Sequence, residues 1–313
     1  LDYAGLFPPA KLPLPEALRN YAAYLRGPHA WMLARFVCPA SRFGEVDALY
    51  RELSLVDEPV WRFSGLGRGG ETVCEFLAGL SADLQAAAEL HQRLRGRIVM
   101  DVLETRLPPV VVAAGADELR QCLQSAATAW TEFPGAPARP ASSLFLEVPF
   151  SGDWRHEVGS VIRQASAVRA THPMLALKIR TGGVEARQIP PVEQVAFFIA
   201  ACRDAGVPFK ATAGLHHPLR HESREVGTKM HGFLNVFAAA ALARSANLAE
   251  REIAALLERE ESRDFSLTTD APRCGGQAIG LDAIRAARGQ LAISFGSCSL
   301  MEPIEDLQAL GLL

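Results

Sequence analysis

The stretch 174-MLALKIRTGG-183 is a short apolar run that takes up a lysine at 178 and then breaks on paired glycines. An apolar run of this length bounded by turn residues reads as a buried strand. A second stretch, 207-VPFKATAGLHHP-218, repeats the pattern with Lys210. Between them, 192-VEQVAFFIAACRDAG-206 carries helical periodicity and ends on Gly206, a residue suited to a left-handed helix stop. Strand, helix, strand over about 35 residues is the parallel βαβ unit.

Working outward, the same alternation recurs. Strands are expected at 2-DYAGLF-7, 32-MLARFV-37, 59-PVWRFS-64, 97-RIVMDVL-103, 143-SLFLEV-148, 174–180, 207–212 and 291-LAISFG-296. Helical patterns include 14–26, 43–53, 71–94, 116–130 and 192–206, with two more helices in 228–262 and a closing one at 303–311. Eight strands with intervening helices predict a (β/α)8 TIM barrel of the α/β class; an open doubly wound sheet shares the pattern until closure is seen. No linker is legible, so 1–313 is taken as one domain, with an insertion at 247–280 before the last strand and a hairpin within 265–279.

The 313 residues are 49% hydrophobic with a formal net charge of −3. That balance offers no clustered basic face for nucleic acid, and no apolar run reaches the ~20 residues that span a bilayer. The six cysteines are scattered without a C-x-x-C pair, which predicts reduced thiols and a cytoplasmic setting. No signal peptide is visible, and the first residue is Leu1 rather than methionine, which leaves what precedes it open. Assembly into a homo-oligomer is also left open.

Of the 32 basic residues only Lys11, Lys178, Lys210 and Lys229 are lysine. In an arginine-rich chain a lysine inside a strand is notable, because arginine stays protonated and cannot serve as an amine nucleophile. Side chains alternate across a strand, and barrel chemistry gathers at the C-terminal strand ends. One residue set per strand gives Arg35, Arg62, Asp101, Glu147, Lys178, Arg180, Lys210, Thr212 and Ser294 as inward-facing. Five positive groups against two negative ones point to an anionic substrate; internal pairing, as of Lys178 with Glu147, is the alternative. Two neighbouring lysines would depress one another's pKa and leave free amine at neutral pH. Such an amine forms a Schiff base with a carbonyl compound, Asp101 or Glu147 moving the protons.

The runs 177-LKIRTGG-183, 209-FKATAGL-215 and 294-SFGSCSL-300 resemble the deoxyribose-phosphate aldolase branch of the class I (Schiff-base) aldolases, over about the last 140 residues. The resemblance implies that Lys178 is the imine-forming lysine and Lys210 its partner. It makes Gly182, Gly214, Gly296 and Ser299 phosphate-side groups, and it places Asp101 on strand four, where the family keeps an acid. The chain departs from the family at Arg180, at 213-AGLHHP-218 and at Cys298, which crowds the phosphate corner. The expected activity is therefore an aldolase-like carbon–carbon lyase acting on a small anionic carbonyl or phosphorylated substrate. Arg35, Arg62, Arg180 and His216 join the substrate-binding set, and no cofactor or metal is called for.

A metal-dependent barrel enzyme using His216, His217 and Glu147 is the second class, and a non-catalytic anion-binding barrel the third. The run 65-GLGRGG-70 matches G-x-G-x-x-G, yet no strand-ending acid follows about 20 residues on, so it reads as a glycine-rich loop with Arg68 exposed. Asp2 reads as a structural pairing partner, and Glu302 as part of the closing helix.

Overall fold

The computed structural model describes residues 1–55, 59–133, 142–268 and 272–313. Eight parallel strands form a closed barrel: β1 (Asp2–Tyr3), β2 (Arg35–Pro39), β3 (Trp61–Leu66), β4 (Ile98–Arg106), β5 (Ser143–Glu147), β6 (Leu175–Arg180), β7 (Phe209–Thr212) and β8 (Ala292–Ser297). Their order is β1-β8-β7-β6-β5-β4-β3-β2. Closure decides for the TIM barrel over the open sheet, since it leaves no edge strand. Each strand falls within a few residues of its expected position. The reason is local: parallel strands buried on both faces read as continuous apolar runs, as in the Leu-Ala-Leu-Lys-Ile of β6, which is buried throughout.

Tertiary contacts divide the chain into two compact units, Leu1–Lys178 and Ile179–Leu313. In the first, helices α1 (Leu14–Arg26), α2 (Phe43–Leu53), α3 (Val73–Arg93), α4 (Pro109–Ala114), α5 (Ala116–Thr131) and α6 (Trp154–Arg169) follow the strands. Helix α1 buries Leu14, Ala17, Leu18, Tyr21 and Ala22, the i, i+3, i+4 stripe of an amphipathic helix. A capping box of Thr72 and Glu75 starts α3, each residue satisfying a backbone amide of the other. Tyr21, Phe36, Trp61 and Phe63 form an aromatic cluster, with ring centroids 5.3 Å apart for Phe36 and Phe63 and 5.5 Å apart for Tyr21 and Trp61. These are separations that aromatic pairs favour.

The second unit holds α7 (Val192–Ala205), α8 (Phe233–Ala246), α9 (Glu250–Leu257), α10 (Leu281–Gln290) and α11 (Met301–Ala309). Gly206 ends α7 in the left-handed conformation, as its position in sequence predicts. Residues 221–223 and 228–230 form an antiparallel hairpin after β7 that sequence periodicity does not reveal. Within 247–280 lie α9 and three short antiparallel strands at 265–266, 273–274 and 277–278; the middle of the expected 265–279 hairpin, 269–271, lies outside the described residues.

Two register shifts matter for the site. Phe63 pairs with Met100 and the next residue, Ser64, with Val102, so Asp101 is the extra residue of a bulge in β4. In β8 the register steps similarly between Ala292 and Ser294. Among the described residues no helix is long and apolar enough to cross a membrane, and all six cysteines are thiols, five of them buried.

Candidate functional site

In the first unit the charged side chains of the strands separate into two groups. The lower one belongs to the strand starts. Arg35, the first residue of β2, donates from Nε to Asp101 Oδ1 at 2.7 Å and from a second guanidinium nitrogen to Oδ2 at 3.0 Å. Arg62, near the start of β3, donates from Nε to Asp101 Oδ2 at 2.9 Å, and Asp2 on β1 lies 3.6 Å from Arg35. Burial works against the Arg35 charge, but Asp2 and Asp101 together hold its pKa above the ordinary guanidinium range. Asp2 is a structural pairing partner, as its sequence suggests.

These pairings correct three expectations. Arg35 and Arg62 do not wait for a substrate anion, because two carboxylates at their own end of the barrel neutralise them. Asp101 is no proton shuttle: both of its oxygens accept from guanidinium groups. The physical cause is strand polarity. Both arginines stand at or near the start of their strands and so sit at the N-terminal end, opposite the end where barrel chemistry occurs.

The upper group lies toward the C-terminal strand ends. Lys178, buried at β6, places Nζ 2.9 Å from Glu104 Oε2 and 3.0 Å from Glu147 Oε2. Glu147 ends β5 and is level with Lys178 in the ladder. Ser64 of β3 donates to the other Glu104 oxygen at 2.5 Å. The Glu104 side chain is 2% exposed and that of Glu147 16%, so Glu147 is the more open carboxylate. Burial pulls the Lys178 pKa down, yet the two carboxylates overcome it and hold the group well above the ordinary lysine range. The resting form is the ammonium ion. This reverses the lowered pKa expected of a lysine beside a second cation.

Sequence reasoning missed Glu104 for a definable reason. Strict alternation from Asp101 turns residue 104 outward. The bulge at Asp101 reverses the parity, and both acids face inward though three residues apart. With Asp2 and Glu104 included, four carboxylates face Arg35, Arg62 and Lys178 in this unit. The surplus of positive charge that pointed to an anionic substrate is absent from it.

In the second unit, Lys210 of β7 is fully buried and level with Ser294 of β8. Arg180 ends β6 exposed and turns back, its Nε donating to the Gly182 carbonyl at 3.0 Å. Gly182 and Gly214 serve chain packing. A Cβ on Gly182 would lie 2.7 Å from the Gly214 Cα and 2.9 Å from the Ala213 carbonyl oxygen, and Ala213 and Gly214 both have positive φ. Thr181 clamps the same turn, its hydroxyl lying 3.0 and 2.8 Å from the carbonyl oxygens of Thr212 and Ala213. Ser299 Oγ accepts from the Glu302 amide at 3.1 Å, in the manner of a helix cap at the start of α11. Gly296 is buried within β8. Gly182 and Gly214, two of the residues that the aldolase resemblance makes phosphate-side groups, thus serve a close backbone approach, and a third, Ser299, holds the Glu302 amide.

The loop after β7 carries His216 and His217. His216 Nδ1 lies 3.4 Å from Ser297 Oγ, 3.4 Å from Cys298 Sγ and 3.8 Å from Glu302 Oε2. Burial first, and then the neighbouring His217 and His221, push the His216 pKa down to about 4, so the ring is neutral near pH 7. His217 Nδ1 meets Asp306 Oδ2 at 2.6 Å. The expected set of His216, His217 and Glu147 is therefore corrected: Glu147 is committed to Lys178, His217 to Asp306, and the carboxylate that reaches His216 is Glu302. In the glycine-rich loop after β3, Arg68 is not free for an anion, since its Nε pairs with buried Asp83 at 2.8 Å.

No protein-family model and no curated protein matches this chain. Among solved structures it is similar to a mutant of the CcCel6A catalytic domain, with a TM-score of 0.33 and 12% identity over 71% of this chain and 66% of that one. It is also similar to the CcCel6A catalytic domain complexed with p-nitrophenyl beta-D-cellotrioside, with a TM-score of 0.34 and 11% identity over 67% of each chain. The chain spans about two thirds of their length. Likeness this slight assigns no residue a role.

Proposed function

We propose that the protein is an aldolase-type carbon–carbon lyase in which Lys178 forms a Schiff base with a small carbonyl compound. The observation that carries this reading is the Glu104–Lys178–Glu147 group, with Nζ within 3.0 Å of a carboxylate oxygen on each side. An ammonium ion does not attack a carbonyl, so the proton must leave first. Transfer from Nζ to the more exposed Glu147 neutralises both partners of that ion pair and yields the amine beside its own acid. The amine adds to the carbonyl carbon, water departs, and the protonated imine draws electrons from the bond to be broken. Glu104, whose other oxygen accepts from Ser64, faces the imine nitrogen. A phosphate or carboxylate on the substrate is not part of the reading, because Arg35 and Arg62 are already paired.

The raised Lys178 pKa favours a second reading on the same residues. Here the ammonium ion stays protonated and polarises the substrate carbonyl, while a carboxylate removes the adjacent C–H proton. Borohydride trapping separates the two. Protein incubated with neutral and phosphorylated aldehydes and ketones is reduced, then analysed by intact mass and peptide mapping. The first reading requires a stable adduct on Lys178 that is lost in Lys178→Arg. Folded protein that gives no adduct with any carbonyl refutes it. Exchange of the substrate C–H proton with deuterated solvent, abolished in Lys178→Met, would then identify the second.

A further inference from the structure

We propose that His216, Cys298 and Glu302 form a binding site for a zinc-class divalent cation, with His216 Nδ1, Cys298 Sγ and a Glu302 carboxylate oxygen as ligands. All three belong to the second unit. His216 follows the left-handed turn at Ala213 and Gly214, Cys298 follows the end of β8, and Glu302 stands in the first turn of α11. Residues 82 positions apart in the chain are thus brought into contact at neighbouring strand ends.

The three ligand atoms lie within 4.8 Å of one another. Zinc binds imidazole nitrogen and carboxylate oxygen at about 2.0 Å and thiolate sulfur at about 2.3 Å in a tetrahedron, so a nitrogen–sulfur edge spans about 3.6 Å and a nitrogen–oxygen edge about 3.3 Å. The corresponding separations here are 3.4 and 3.8 Å. Both lie within about half an ångström of the tetrahedral edges, and the third edge, from Cys298 Sγ to the Glu302 carboxylate, lies within 4.8 Å, against about 3.5 Å in the tetrahedron.

The donor set also fits its charge and softness. A thiolate and a carboxylate balance a divalent cation, and the sulfur selects for zinc-like ions against magnesium or calcium. The buried imidazole offers Nδ1 on the side that faces Cys298 and Glu302, and a ring nitrogen is an ordinary ligand for a zinc-class ion. Besides the Glu302 carboxylate, two described groups lie against Nδ1. One is a thiol, which is a weak donor; the other is a Ser297 hydroxyl at 3.4 Å that also receives the Ser299 amide. Beside the site, His217 Nε2 lies 3.8 Å from the second Glu302 oxygen while its Nδ1 is held by Asp306. Outer partners of this kind orient a ligating carboxylate. Three protein ligands leave the fourth tetrahedral position to water.

The test uses the full chain, stripped with a chelator and titrated with Co²⁺ and then Zn²⁺. The expected result is a single equivalent of Co²⁺ with sulfur-to-cobalt charge-transfer absorption, displaced by Zn²⁺. Cys298→Ser abolishes the band, and Zn²⁺ affinity, read by competition with a chromophoric chelator, falls by more than the roughly 10–100-fold seen when an outer partner is lost. Glu302→Gln, on a half-buried helix turn that keeps the fold, also weakens binding. Two results overturn the proposal. One is folded protein that develops no thiolate band with Co²⁺. The other is a band that survives Cys298→Ser, which places the metal on another cysteine such as exposed Cys74. Neither outcome depends on the trapping of Lys178.

Discussion

Removing the ammonium group from between Glu104 and Glu147 tests the first site in quantity. Their oxygens lie 2.9 and 3.0 Å from Nζ. Lys178→Met therefore leaves two unshielded negative charges close together. At an effective dielectric constant near 20, unit charges about 6 Å apart, the most that geometry allows, repel by about 3 kcal/mol. Repulsion of that size favours protonation of one of the two carboxyls in the variant. Loss of one partner from a buried ion pair costs about 3–5 kcal/mol at neutral pH.

The sign follows from proton binding. A carboxyl that is protonated more readily in the folded state binds a proton that the unfolded state releases, so the variant recovers stability as pH falls toward the carboxylate range. Urea unfolding of wild type and variant at about pH 7.5 and about pH 5.5 measures this, with the deficit expected to shrink by about 1 kcal/mol at the lower pH. Adding Glu104→Gln to Lys178→Met removes one charge and recovers about 3 kcal/mol at neutral pH. An equal deficit at both pH values, with no recovery in the double variant, would refute the reading of Lys178 as the counterion of two ionised carboxylates.

Asp101→Asn leaves Arg35 and Arg62 short of their shared carboxylate. It destabilises the fold by about 3–5 kcal/mol in urea titration, and on the proposed imine chemistry leaves carbonyl trapping at Lys178 in place. His231, fully buried with Nε2 2.8 Å from the Pro190 carbonyl oxygen, has its pKa pushed down to about 4, chiefly by burial. The unfolded state binds the proton first, so stability is lost as pH falls from about 6.5 toward 4, about 3 kcal/mol for this residue, and His231→Gln flattens that part of the profile. Gly182→Ala drives a methyl group to 2.7 Å from the Gly214 Cα. The overpacking costs about 1–3 kcal/mol, measured as a lowered urea midpoint at unchanged slope.

The conservation of parity along a strand explains much of what sequence could and could not say about the sites. Glu147 and Lys178 were legible as partners because β5 and β6 run without a bulge and end in register. Glu104 was hidden because one extra residue, Asp101, reverses the inward face of β4. Arg35 and Arg62 each stand at or near the start of an apolar run, and chain direction alone places them at the end of the barrel away from the chemistry. Glycine at 182 and 214 meets either of two needs, a ligand cradle or a close backbone approach, and only the neighbouring atoms tell them apart.

The alternation of strands and helices, the eight barrel strands and the lysine at 178 are legible in the amino-acid sequence alone, because each rests on periodicity and residue type within a few positions. Closure of the barrel, the bulge at Asp101, the capture of Asp101 by two arginines, and the meeting of His216 with Cys298 and Glu302 were decided only by the tertiary structure. These depend on contacts between residues far apart in the chain, where the charge state and role of a side chain are set by neighbours that no local pattern names.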